Sequence, residues 1–86
     1  MHEMSLALEV CSIVQRHLPE EQLVRVLAVG VEVGDQAGIE AGNLEFWLET
    51  LLASPPFSSA RPVIKRVEGD VLRVSYLEVD DGRPED

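Results

Sequence analysis

The sequence predicts an α/β two-layer domain in which two helices pack on one face of a three-stranded mixed sheet. Three observations lead to this fold class. Apolar residues recur at helical spacing near the amino terminus, a valine-rich run follows, and a second helical pattern separates that run from two short β-rich segments. With 86 residues the chain suffices for one small domain. The expected order is helix-strand-helix-strand-strand.

The first helix is predicted over Glu3 to Leu18. Pro19 ends it, because the residue before a proline resists helical geometry. Glu20 to Gln22 are expected to form a polar connector. The apolar stripe of this helix consists of Met4, Ala7, Leu8, Cys11, Val14 and Leu18, widened by Leu6, Val10 and Ile13.

The run from Leu23 to Val33 predicts the strongest strand. Its valines are β-branched, and apolar residues on both faces indicate a central strand rather than an edge strand. Gly34 and Asp35 end it. With the second helix and a later strand it is expected to form a right-handed β-α-β unit.

The second helix is predicted from about Glu40 to Ala53. If Asn43 were the N-cap, the helix would start later, and the sequence leaves both starts open. Ser54-Pro55-Pro56 ends it. The apolar stripe is formed by Leu44, Trp47, Leu48 and Leu51.

Two further strands are predicted over Arg61 to Val67 and Val71 to Val79, joined by Glu68-Gly69-Asp70. The pattern is typical of a hairpin, with either a two-residue Gly-Asp turn or a three-residue bulged loop. These two loops give different registers, and both stay open. We expect residues 1–80 to form the domain and residues 81–86 to be a frayed acidic tail.

The composition limits the kinds of partner that this protein is expected to bind. Seven basic and sixteen acidic residues give a net charge of −9, which argues against nucleic acid as a partner. The absence of a long apolar run argues against a membrane span, and the lack of a signal-peptide pattern favours a cytoplasmic protein. The sequence does not fix the oligomeric state. A cluster of basic residues is expected to lie on a solvated sheet face rather than to bind an anion: Arg61, Lys65, Arg66 and Arg73.

Catalytic patterns are missing, so we expect no enzyme. Cys11 lies on the predicted buried stripe without a histidine partner, which indicates an inert thiol. Glu32 and Glu40 are interpreted as two solvated acids rather than a catalytic pair. The glycines follow no nucleotide-binding pattern.

The opening Met1-His2-Glu3 is the one candidate metal site. The Met1 amine, the His2 amide nitrogen and the His2 ring nitrogen can close successive chelate rings, which suits square-planar Ni(II) or Cu(II). Glu3 can supply a fourth donor through its amide or its carboxylate. His17 lies ~22 Å further along the same helix, too far to share the metal, and is interpreted as compensating the helix dipole.

These residues resemble the start of the HypA/HybF proteins, the nickel metallochaperones of [NiFe]-hydrogenase maturation. The resemblance begins with Met1-His2-Glu3-Met4-Ser5-Leu6 and continues in order through the chain. Its further segments are Val31-Glu32-Val33-Gly34, Leu44-Glu45-Phe46-Trp47, Gly69-Asp70-Val71-Leu72-Arg73-Val74 and Leu77-Glu78-Val79.

The resemblance implies nickel held by the Met1 amine and His2, with Glu3 in the immediate site. It also implies delivery to a nickel-enzyme precursor with a HypB-like GTPase as partner. Family members normally carry a zinc domain with two CxxC pairs between the last two strands, whereas Cys11 is the only cysteine here. We therefore expect no zinc. The alternative is a HypA-like interaction or regulatory module that no longer binds metal.

Overall fold

The computed structural model describes residues 2–80, and the predicted order of elements is confirmed, with one short helix added. Two long helices pack on a three-stranded mixed sheet, as the predicted fold class requires. The predicted tail, residues 81–86, and Met1 lie outside the described residues. The elements are α1 (Glu3–His17), α2 (Glu20–Leu23), β1 (Val26–Gly34), α3 (Ala41–Leu52), β2 (Arg61–Val67) and β3 (Leu72–Val79).

The sheet has the order β2-β1-β3, so the valine-rich strand is central as predicted. Strand β1 runs parallel to β2, with Ala28 opposite Arg61, and antiparallel to β3, with Val33 opposite Leu72. Helix α3 connects the two parallel strands. The predicted β-α-β unit is therefore β1-α3-β2, because a parallel pair needs a crossover connection.

Both hairpin predictions for residues 68–70 are wrong. Strands β2 and β3 lie on opposite edges of the sheet and are separated by β1. The segment between them passes across the end of β1, where three backbone hydrogen bonds attach it. These run from Gly34 N to Val71 O at 2.7 Å, from Asp35 N to Val67 O at 2.8 Å and from Gln36 N to Gly69 O at 2.8 Å.

The core lies between the helices and one face of the sheet. Val29, Val31 and Val33 point into it from β1, and the α1 residues Ala7, Val10 and Val14 are fully buried against them. Met4 and Leu8 belong to the predicted stripe, yet they are exposed to 44% and 49%. Their burial was wrongly predicted, because the face of α1 that is buried in the core is narrower than the predicted apolar stripe.

Some element boundaries differ from the prediction, and the two starts left open for the second helix are resolved. The expected connector Glu20–Gln22 is helical, and this turn buries Leu23, so β1 begins at Val26. Helix α3 begins at Ala41 with Glu40 as its N-cap, which rules out the later start at Asn43. Strand β3 begins at Leu72. Among residues 2–80, no helix is long and apolar enough to cross a membrane.

Candidate metal centre at the amino terminus

His2 is exposed and immediately precedes α1. Its backbone is extended (φ −77°, ψ 146°), and its carbonyl accepts the first helical hydrogen bond from Leu6 N at 3.2 Å. The imidazole does not cap the helix. The amide nitrogens of His2 and Glu3 belong to the N-cap and first turn of α1, where backbone N–H groups have no partner within the helix. His2 therefore presents a ring nitrogen and backbone nitrogens at an accessible end of the domain.

Glu3, the first residue of α1, directs its carboxylate to the start of α3. Oε1 accepts from Asn43 Nδ2 at 2.9 Å, and Oε2 accepts from the Glu40 amide at 3.4 Å. The pKa of Glu3 is lowered, first by the Asn43 hydrogen bond and then by the Glu40 and Glu3 backbone amides. Both carboxylate oxygens thus already have donors within the protein.

Glu40 is the N-cap of α3 and completes this arrangement. Its carboxylate accepts from Gly42 N at 3.2 Å and from Asn43 N. Backbone N–H groups at a helix start lack intrahelical partners, so an acidic N-cap satisfies them. The cluster Glu3–Glu40–Asn43 joins the first turns of α1 and α3, and its members other than Glu3 were not predicted as part of the site.

Side chains alone do not form a metal site in the part of the chain described. Within residues 2–80, no group of three or more His, Cys, Asp or Glu side chains is placed to hold a metal ion. A metal at this end of the domain would therefore need backbone nitrogens in addition to His2. Met1, the remaining predicted ligand residue, lies outside the described residues.

The other sequence candidates have structural roles. Burial raises the pKa of the Cys11 thiol to about 11, consistent with the predicted inert thiol. His17 lies in the last turn of α1, where Nδ1 is 2.8 Å from the carbonyl oxygen of Ile13.

The predicted pair of solvated acids is only partly confirmed. Glu32 forms an ion pair with Arg73, whose Nε donates to Oε1 at 2.8 Å, and its side chain is only 19% exposed. Glu40, in contrast, caps α3. Each carboxylate has its own partner, as expected for structural rather than catalytic acids.

All four residues of the basic cluster are exposed, but they do not all lie on one sheet face as expected. Arg61 and Lys65 stand in register with Ala28 and Glu32 of β1, on the sheet face opposite the helices. Arg73 lies on that same face and is neutralised in part by Glu32. Arg66 instead stands in register with Val33, whose side chain points into the core, although Arg66 itself is exposed. This arrangement favours a solvated face with internal charge pairing.

Comparison with known proteins identifies the family. A sequence model described as hydrogenase/urease nickel incorporation, metallochaperone, HypA matches residues 1–73. This chain belongs to the HypA family. The hydrogenase maturation factor HypA of Geobacter metallireducens is 38% identical over 69 residues, which cover 80% of this chain. The chain matches 60% of the length of that relative.

The family match confirms the resemblance carried by Met1-His2-Glu3 and the segments after it. It begins at residue 1 and reaches Arg73, so it includes the amino-terminal tripeptide, both long helices and the segment that crosses the end of β1. The sequence contains one cysteine, Cys11, which lies in α1. The metal ligands themselves remain predictions.

Proposed function

We propose that this protein is a nickel-binding metallochaperone or accessory protein for maturation of a nickel enzyme such as [NiFe]-hydrogenase. The observation that carries the proposal is the exposed, extended His2 directly ahead of α1, in a family described by nickel incorporation. The protein would act in the cytoplasm without catalysing a reaction. Its partners would be a nickel-enzyme precursor and a HypB-like GTPase.

The proposed ligands are the Met1 amine, the His2 amide nitrogen and a His2 ring nitrogen, with Glu3 completing the site. Ni(II) is the cargo, and four nitrogen donors in a plane match its preference. We assign the Glu3 contribution to its amide rather than its carboxylate, since Asn43 and the Glu40 amide already donate to the carboxylate oxygens. The Glu3 amide would give up its contact with its own carboxylate when it binds the metal. The carboxylate then serves to hold the start of α1 against α3.

Nickel affinity should fall steeply as the pH falls. The amine must be neutral and the participating amides must lose their protons before they coordinate, so metal binding competes with protons at several positions. We further propose that zinc is not part of this protein, because its single cysteine is buried with a raised pKa. Zinc would require several thiolates or imidazoles.

The test is calorimetric titration of Ni(II) into the full chain with Met1 as a free amino terminus. His2→Ala should weaken binding by at least about tenfold, while His17→Ala, at the other end of α1, should leave it unchanged. A Gly-Ser extension ahead of Met1 should have the same effect as His2→Ala, because it removes the terminal amine. Equal binding by all four proteins would refute the amino-terminal site.

A second candidate is a HypA-like interaction module without metal. Two observations favour it. The net charge of −9 would attract a basic protein partner electrostatically, and the sequence lacks the CxxC pairs. Recovery of the same purified partner with chelator present and with His2→Ala would support this module. Recovery that requires nickel and His2 would instead support the metallochaperone.

A further inference from the structure

Strand β3 is an edge strand bordered by a groove with both apolar and polar lining residues. Within residues 2–80, the sheet ends at β3 on the side away from β2. The groove has a volume of about 770 Å³ and lies between β3 and the second half of α1. Its apolar side is formed by Ile13 and Val14 of the helix and by Leu72, Val74 and Leu77 of the strand. Its polar side includes His17, Arg73, Ser75 and Tyr76. An open edge beside a partly apolar groove offers hydrogen bonds and burial to an added strand.

A bulge makes β3 symmetric about its midpoint. Gly30 pairs with Tyr76 and Val31 with Val74, which leaves Ser75 as an extra residue. The extra residue reverses the alternation of side chains halfway along the strand. The burial pattern therefore reads the same in both directions, with half-buried Leu72, Val74, Leu77 and Val79 and exposed Arg73, Ser75, Tyr76 and Glu78.

This symmetry matters because antiparallel pairing of two identical strands must match faces as well as directions. In a regular strand, pairing about the midpoint between two residues would place core-facing residues opposite solvent-facing residues. In β3 the bulge removes that conflict. About the point between Ser75 and Tyr76, Leu72 meets Val79, Val74 meets Leu77 and Arg73 meets Glu78 of the other copy.

The charges of β3 are complementary in this register. Arg73 and Glu78 lie on the sheet face opposite the helices, where their rows also contain Glu32 and Ala28. Arg73 donates through Nε and Nη2 to Glu32, which leaves N–H groups of the guanidinium for a second carboxylate. The twofold axis creates the Arg73–Glu78 pair twice.

We propose that β3 pairs antiparallel with β3 of a second copy of this chain about a twofold axis between Ser75 and Tyr76. The two sheets become continuous, and the apolar side chains of the second strand cover the groove beside Ile13. Both copies bury the same surface, so the assembly closes as a dimer. This inference concerns the sheet edge and does not depend on nickel binding.

The test is sedimentation of the full chain from micromolar to millimolar concentration, with chelator present so that metal-bridged association does not contribute. The expected result is a monomer–dimer equilibrium. Glu78→Arg should weaken dimerisation by at least about tenfold, because it replaces two opposite-charge pairs by two like-charge pairs. Glu45→Arg, an identical charge change on exposed α3, should leave the equilibrium unchanged.

Mixing variants provides the decisive control. Arg73→Glu should also fail to pair with itself, whereas a mixture of Arg73→Glu with Glu78→Arg should form heterodimers, because both ion pairs are then restored. If Arg73→Glu does not fold beside Glu32, concentration-dependent hydrogen exchange of the native β3 amides gives an independent measurement. A monomer at every concentration, or a dimer that Glu78→Arg does not weaken, would overturn the proposal.

Discussion

The carboxylate of Glu3 shows how one side chain can join two helices at the candidate metal centre. It accepts a hydrogen bond from the Asn43 side chain, which is 40 residues further along the chain, and another from the Glu40 amide. Glu3 also follows directly after His2, whose backbone and ring are proposed to bind nickel. Asn43 therefore positions the start of α1 without being a proposed ligand.

Replacing Asn43 by alanine should raise the pKa of Glu3 towards its ordinary value. The Asn43 hydrogen bond is the largest cause of the lowered pKa, and carboxyl NMR titration measures the change directly. Thr50→Ala, which removes a hydroxyl bonded to Phe46 O in the same helix, should leave the pKa unchanged. An unaltered Glu3 titration in Asn43→Ala would contradict the contact.

The same contact has a defined effect on stability. Because the pKa of Glu3 is lowered by folding, the contact stabilises the fold above the carboxyl's unfolded pKa. That contribution is lost as the pH falls through the folded pKa. The difference in unfolding free energy between the native chain and Asn43→Ala should therefore shrink on acidification, as chemical denaturation at several pH values will measure.

Cys11 should be nearly unreactive in the folded chain. Burial raises its pKa to about 11, so the thiolate is rare near neutral pH and the sulfur is also shielded. Alkylation should be slower than in denaturant by at least about two orders of magnitude. Stability should fall as the pH rises from the unfolded thiol pKa towards 11, and Cys11→Ala should lack this loss. Equal alkylation rates in the folded and denatured states would show that the thiol is exposed.

At the scale of the elements, the segment that crosses the end of β1 requires a glycine at position 34, the last residue of that strand, because its backbone passes too close for a Cβ atom. A Cβ on Gly34 would lie 2.1 Å from the Gly69 carbonyl oxygen and 2.7 Å from Val71 N, both backbone atoms. The neighbouring Asp35 side chain accepts from Gly69 N at 3.0 Å. The crossing segment is thus held close to the strand that it passes.

Gly34→Ala should lower the unfolding free energy by about 1–3 kcal/mol, because the crossing backbone must shift. Gly42→Ala is the matched control. Its Cβ would approach only the Glu40 carboxylate, at 3.4 Å, so it should be neutral or stabilising by up to about 1 kcal/mol as a helical alanine. Chemical denaturation of both variants checks the pair, and equal stabilities would mean that the crossing is loosely attached.

The sequence was sufficient to predict the two long helices and the three strands, but it was insufficient for the short helix α2 and for the connection between β2 and β3. Valine content placed β1 at the centre of the sheet, since a strand buried on both faces carries apolar residues on both. The pairing of β3 with β1 joins segments that are far apart in the sequence, so local patterns do not determine it. Gly69 adopts a positive φ of 99°, and such a glycine suits a hairpin and a crossing segment equally. Local turn residues therefore could not reveal that β2 and β3 lie apart.

At the candidate site, too, the local sequence predicted one part, and the other part depends on tertiary packing. His2 was predicted as a ligand from the amino-terminal tripeptide alone; the structure shows that it is exposed, and its ligand role stays a prediction. The hydrogen bonds that the Glu3 carboxylate accepts could not be predicted, because the donors on Glu40 and Asn43 come near it only when α3 packs against α1. A helix start at Glu40 was the one available signal for this meeting point.

At the scale of the whole molecule, charge opposes the compact state. Sixteen acidic and seven basic residues give a net charge of −9 at pH 7, and folding brings like charges closer together. One ion pair, Glu32–Arg73, is partly shielded, while Glu9–Arg16 at 3.6 Å is exposed and contributes little. Long-range repulsion should therefore outweigh these pairs.

Sodium chloride should accordingly raise the unfolding free energy at pH 7, most steeply at low ionic strength, where the Debye length shortens fastest. Chemical denaturation with urea, which adds no charge, measures the change, and dilute protein keeps β3 pairing from contributing. The control is the same salt series near pH 4.5, the pI, where net repulsion vanishes and the gain should disappear. A loss of stability on adding salt at pH 7 would mean that the ion pairs of the sheet face, rather than the net charge, dominate the electrostatics of this fold.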